Sequence, residues 1–115
     1  MNNKPSVDTE QDINLRPFLA GMVNISTAHI PEHTAIALGQ DEGKSGSPAL
    51  WSRLSYVYFH EYGWIVSCSD DAAEAVREDH PELSDLIKRC RGVWANFLKL
   101  DCDAEKVLGL PTFEW

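Results

Sequence analysis

The chain has 115 residues, 43% of them hydrophobic and 24% charged, and its 18 acidic against 10 basic side chains leave a formal net charge of −8 at pH 7. This is one domain of ordinary size, long enough to bury a core without a metal or disulfide staple. The acidic balance speaks against direct binding to nucleic acid, where lysine and arginine must replace phosphate counterions, and against docking on anionic lipid.

Residues 1–14 (MNNKPSVDTEQDIN) are polar and without period, and read as a flexible arm ahead of a single domain over 15–115. Their acids and the lack of an apolar run exclude a secretory signal. No stretch of the chain approaches the roughly 20 apolar residues that a membrane helix needs. Cys68, Cys90 and Cys102 are odd in number and form no CxxC pair, which fits reduced, mostly buried thiols in a cytoplasmic protein.

Residues 18–25 carry the β-branched and apolar content of a first strand. Pro31 suits the first turn of a helix and Glu32 its dipole, with Ala35, Ile36 and Leu38 facing inward and Gly39 as the stop. The clearest loop is 40–48 (QDEGKSGSP). Residues 53–60 and 63–69 read as two strands joined through Glu61-Tyr62-Gly63 in a hairpin. In the acid-rich stretch that follows, 72–76 can make a helical turn or a short helix that ends before Pro81. Residues 81–91 make a better helix, with Leu83, Leu86, Ile87 and Cys90 at i, i+3, i+4 and i+7, His80 or Asp79 as its cap and Gly92 as its end. Residues 94–100 form a last strand before an apolar, aromatic tail.

This βαββαβ order predicts an α+β two-layer sandwich, a four-stranded and mainly antiparallel sheet with helices on one face. It is the order of the ferredoxin-like fold, and right-handed crossovers would place the first and last strands in the middle of the sheet. The expected core is Val23, Ile25, Ile36, Leu38, Val57, Phe59, Ile65, Val66, Leu83, Leu86, Ile87, Phe97 and Leu100.

Three stretches carry a resemblance. They are Asn24-Ile25-Ser26-Thr27-Ala28-His29-Ile30 with the short helix after it, Tyr62-Gly63-Trp64-Ile65-Val66, and residues 92–115 with Phe97, Asp101, Asp103 and the closing Leu110-Pro111-Thr112-Phe113-Glu114-Trp115. In this order they resemble a family of small proteins common in Proteobacteria and on their plasmids and mobile elements, known only as a domain of unknown function. The resemblance spans residues 20–115. It implies no activity, but it implies a shared site at Ser26, Thr27 and His29 after the first strand and at Asp101 and Asp103 after the last.

If the first and last strands are neighbours, those five residues converge. An imidazole and two carboxylates can hold a divalent metal, or act as base and orienter around a hydroxyl. The plainer alternative has Ser26 or Thr27 capping the next helix and His29 bonded to Asp101 or Asp103, fixing two loops. His29 and His33 have the spacing of a zinc HExxH helix, but the glutamate is misplaced and Pro31 intervenes. No nucleotide or acyl-transfer motif is present.

Alternation puts Tyr56 and Tyr58 on one strand face and Val57 and Phe59 on the other, while Trp115 either folds back or anchors a partner. Asp70, Asp71, Glu74, Glu78, Asp79, Glu82 and Asp85 form a solvated face or, more sharply, an array imitating a phosphate backbone. The reading is a non-enzymatic, protein-binding or regulatory domain without a cofactor or metal. Its contact residues are Asp70, Asp71, Glu74, Glu78 and Trp115, its partner is a protein rather than nucleic acid or membrane, and its oligomeric state is open. Two alternatives stand beside it: a nucleic-acid-mimicking inhibitor of a DNA-handling defence protein, and a metal-assisted hydrolase using His29, Asp101 and Asp103.

Overall fold

A computed structural model of the chain describes residues 13–39, 54 and 57–115, and of Phe59 the backbone alone. The arm expected over 1–14 lies outside the described residues except for Ile13 and Asn14, and so do the loop 40–48, Trp51 and Tyr56.

Among the described residues four strands, β1 (Met22–Ser26), β2 (Val57–His60), β3 (Gly63–Ser67) and β4 (Phe97–Asp101), make one sheet in the order β1-β4-β3-β2. Among the described residues three α-helices accompany it: α1 (Glu32–Gly39), α2 (Asp70–Val76) and α3 (Pro81–Gly92). The α+β class is as expected. The sheet, however, is mixed rather than mainly antiparallel: β1 runs parallel to β4, while β3 is antiparallel to both β4 and β2. The ferredoxin-like arrangement fails too, because β1 is an edge strand and the centre is β4 and β3.

The cause is a count of helices. The acidic segment opens with the short helix that was one of the two readings of 72–76, α2, whose first turn is closed by Ser69 Oγ accepting the Ala72 N–H at 3.0 Å. A short link at 77–80 joins it to α3, and the two helices pack against each other. One helix reverses the chain and a second restores its direction. β4 therefore leaves from the end at which β3 stopped and must run antiparallel to it.

Register sets the core. Leu98 lies between Val23 and Val66, and Leu100 between Ile25 and Trp64, so these side chains share one face. Against that face pack Ile30 and Leu38 with Val76, Leu83 and Ile87, all fully buried. Phe97 and Ile65, both expected in the core, have the opposite parity and belong to the outer face with Met22, Tyr58 and Lys99. Ile36 is also a correction, at 51% exposed; α1 turns Thr34, Ala35, Ala37 and Leu38 inward. That helix is apolar nearly all round, so its sequence carries no clear inward stripe.

The first strand begins at Met22, not at 18: Arg16–Phe18 form a 3-10 turn, and Phe18 and Leu19 are exposed. Gly92 is the last residue of α3, as expected, but it does not take the left-handed position. The left-handed position falls at Trp94 (φ 66°), where Ala95 N–H donates to the Cys90 carbonyl (2.9 Å) and Trp94 N–H to that of Arg91 (3.0 Å). Gly63 sits one place after the hairpin's two-residue turn, where β3 passes so close to β4 that a Cβ would lie 1.8 Å from the Leu100 carbonyl oxygen.

Cys68 and Cys90 are buried as expected, whereas Cys102 is exposed. A hydrogen bond to Cys90, with burial, pushes the Cys68 thiol far above its ordinary range, so it is no nucleophile. No helix among the described residues is long and apolar enough to cross a membrane.

Candidate functional site

Because β1 and β4 are parallel neighbours with Ser26 opposite Asp101, their C-terminal ends open at the same edge of the sheet. Gly63 also pairs with Asp101, which brings the β2–β3 turn to that edge. Topology thus brings the segment with Ser26, Thr27 and His29 and the segment with Asp101 and Asp103 to one edge, with Ser26 and Asp101 as direct neighbours.

Their hydrogen bonds give them other tasks. Ser26 Oγ accepts the Ala28 N–H at 3.0 Å and caps the 3-10 turn Thr27–His29. His29 is 2% exposed and committed on both sides of its ring. Nδ1–H donates to the Pro111 carbonyl and Nε2 accepts the Val107 N–H, each at 2.8 Å. A carbonyl can only accept and an amide N–H can only donate, so this is the neutral Nδ1–H tautomer. His29 binds the chain's tail instead of Asp101 or Asp103. Asp101 in turn accepts the Asp103 N–H at 2.8 Å on Oδ1, and its Oδ2 lies 3.7 Å from Lys99 Nζ.

The tail is strapped on at three more points. Ser26 N–H donates to the Glu105 carbonyl (3.2 Å), Phe113 N–H to that of Ala28 (2.8 Å), and Trp115 Nε1–H to that of Ile30 (2.9 Å). Trp115 therefore folds back. The Ser-Thr-Ala-His turn and the closing Leu-Pro-Thr-Phe-Glu-Trp, distant in sequence, form one hydrogen-bonded unit. A family model described as "Family of unknown function (DUF5983) C-terminal domain" matches residues 22–115, from the first residue of β1 through this tail. The chain belongs to that family. No curated protein and no solved structure gives a match.

In this DUF5983 domain the residues that come close enough to share a metal ion, among those described, are Asp101, Cys102 and Asp103, with ligand atoms within 4.8 Å of one another; His29 is not in the group. Cys102 is exposed, and partial desolvation of its sulfur with the carboxylates of Asp103 and Asp101 pushes its thiol above the ordinary value. His33 does not join His29. Its Nε2–H donates to the Asp79 carbonyl (3.1 Å), and its ring stacks on that of His80, which hydrogen-bonds Thr34 Oγ1 at 2.8 Å.

Beside the gathered residues is a cavity of about 250 Å³ lined by Thr27, Cys102, Trp115 and the hairpin residues from His60 to Trp64. Tyr62 and Trp115 are half-exposed at this cavity. His60 Nδ1 accepts the Tyr62 N–H (3.3 Å), so the ring proton sits on Nε2. That nitrogen and Trp64 Nε1 are buried without a hydrogen-bond partner among the described residues. Sequence reasoning missed His60, Tyr62 and Trp64 here, because only the Ser26–Asp101–Gly63 register brings the hairpin turn beside the ends of β1 and β4.

The carboxylates of 70–85 lie on two helices and the link between them. Glu74 pairs with Arg77 (2.9 Å), Asp85 with Arg89 (2.7 Å) and Asp70 with Arg91 (3.8 Å), while Glu82 Oε1 is buried. Asp71 and Glu78 are exposed.

Proposed function

We propose that this domain works by binding another protein in the cytoplasm, through the aromatic end of its sheet, and not by catalysis. The observation that carries the reading is the double commitment of His29. The one side chain of the predicted cluster that could serve as base or nitrogen ligand has both ring nitrogens tied to backbone. Tyr62 and Trp115 stand half-exposed beside a cavity that His60 and Trp64 also line, together with the exposed Glu61 and Cys102. The two rings supply apolar contact to a partner. Mimicry of nucleic acid is less favoured, since three of the seven carboxylates are neutralised by arginine and a fourth has a buried oxygen.

Thermal melts with and without Mn²⁺ or Zn²⁺ test this reading. Wild type and Asp101→Ala should respond alike and weakly. A large stabilisation of wild type that Asp101→Ala abolishes would establish the metal-assisted hydrolase instead. A partner captured from the host should dissociate faster from Tyr62→Ala, with little dependence on salt.

A further inference from the structure

Natural sheets blunt an open edge with a lysine, a proline, a bulge or a covering element. Among the described residues β1 (MVNIS) is an edge strand with none of the first two, and it carries no charge at all. Its hydrogen-bonding direction can be read from its ends. Gly21 faces β4, its carbonyl accepting from Asn96 and Phe97 and its N–H donating to Asn96 Oδ1. Ser26 faces away, its N–H taken by Glu105. Strand alternation therefore turns the N–H and C=O of Met22 and Asn24 outward as well.

Two further features lie along the same edge. Between β1, α3 and the tail runs an apolar groove of about 450 Å³, with Val23, Ile25, Leu86, Val93, Leu108 and Leu110 among its walls. At the opposite end, Trp94 follows α3 in the left-handed position that glycine normally takes, and it is 85% exposed. A bulky residue held in that conformation and offered to water stabilises nothing in its own fold, and such strain clusters at functional positions. Its carbonyl lies 3.6 Å from the Cβ position of Gly21, which places Trp94 at the start of β1.

We propose that β1 is the dimer interface of this chain, pairing antiparallel with β1 of a second copy about a two-fold axis through Val23. Met22 of each copy then exchanges both main-chain hydrogen bonds with Asn24 of the other, using all four outward groups per copy. The Glu105 carbonyl on Ser26 stops the ladder and fixes its register. Antiparallel pairing sets the start of one β1 against the end of the other, so each Trp94 meets the Ile25–Leu108 end of its partner's groove. That is a knob and a hole on one self-complementary surface. Met22 on β1, Val93 and Leu108 at the groove and Trp94 beside Gly21 are all exposed apolar residues at this edge, where a standard interface buries about 800 Å² per partner. Because β1 is uncharged, the net charge of −8 on each chain is not concentrated where the two copies meet. This association holds whether or not the domain also binds other proteins at the cavity beside Tyr62 and Trp115.

Sedimentation equilibrium across a concentration series tests it, on the full chain of 12.9 kDa and two variants. Wild type should sediment as a dimer. Trp94→Gly should shift it to monomer by at least a factor of 10 in Kd and should melt no lower, because glycine suits the left-handed position. Asn24→Pro should also yield monomer, since it removes an outward N–H and leaves the ladder to β4 intact. Wild type that stays monomeric up to about 1 mM overturns the proposal, as the open edge would then belong to a different partner. A dimer that survives both substitutions overturns it equally.

Discussion

Replacing His29 by alanine removes the link that ties the Ser26–Ile30 turn to the tail. The imidazole makes two buried hydrogen bonds, to Pro111 and Val107, and is 2% exposed. Each such bond contributes about 1 kcal/mol net, and a partner left unpaired in a buried place costs about 1–3 kcal/mol. The tail can lift to let water reach Val107 N–H and the Pro111 carbonyl, which limits the second cost, so the loss should be about 2–4 kcal/mol. For a domain of this size a urea slope of about 1–1.5 kcal/mol per M turns that into a midpoint lower by about 2 M. Hydrogen exchange supplies the local signature. The Phe113 amide and the Trp115 indole N–H bond to Ala28 and Ile30 just beyond the His29 latch, and they should lose protection before the central Leu98 and Leu100 amides do. A loss of stability below about 0.5 kcal/mol, with Phe113 still protected, would refute the claim that His29 is a structural latch.

Gly63→Ala should abolish folding or cost more than about 3 kcal/mol, because the new Cβ would meet the Leu100 carbonyl oxygen at 1.8 Å; a melting temperature within a few degrees of wild type would show that β3 and β4 do not approach so closely. Leu98→Ala should cost about 3 kcal/mol in chemical denaturation and Phe97→Ala distinctly less, although the two are neighbours; the reverse ranking would mean that the face assignment of β4 is inverted.

How much of this was legible in the sequence depends on the range over which each decision is made. The element list was local and readable. Pro31 ahead of α1, the i, i+3, i+4, i+7 pattern of Leu83, Leu86, Ile87 and Cys90, and the paired β-branched runs around Glu61-Tyr62 all appear near their expected positions. The α+β class follows from that list. The family followed from three short motifs, and so did the meeting at one edge of the segment with Ser26, Thr27 and His29 and the segment with Asp101 and Asp103, once β1 and β4 proved adjacent.

Only the tertiary structure decided what those residues do. That His29 serves the tail depends on hydrogen bonds to residues 78 and 82 positions away, and no spacing rule reaches that far. Strand order turned on whether 72–76 made a helical turn or a short helix, which the sequence left open and which reverses the direction of everything after it. The face of β4 was hidden for a related reason: Phe97, Leu98 and Leu100 are all apolar, so alternation along the strand could not say which parity meets the helices. Trp94 shows the limit from the other side. Nothing in the string marks it out, because Gly92 was available to end α3. It was the hydrogen bonds from Ala95 and Trp94 to Cys90 and Arg91 that put the left-handed turn on a tryptophan and left its ring in water. Local chemistry chose the elements; the packing of one element on another chose which side chains were left to act.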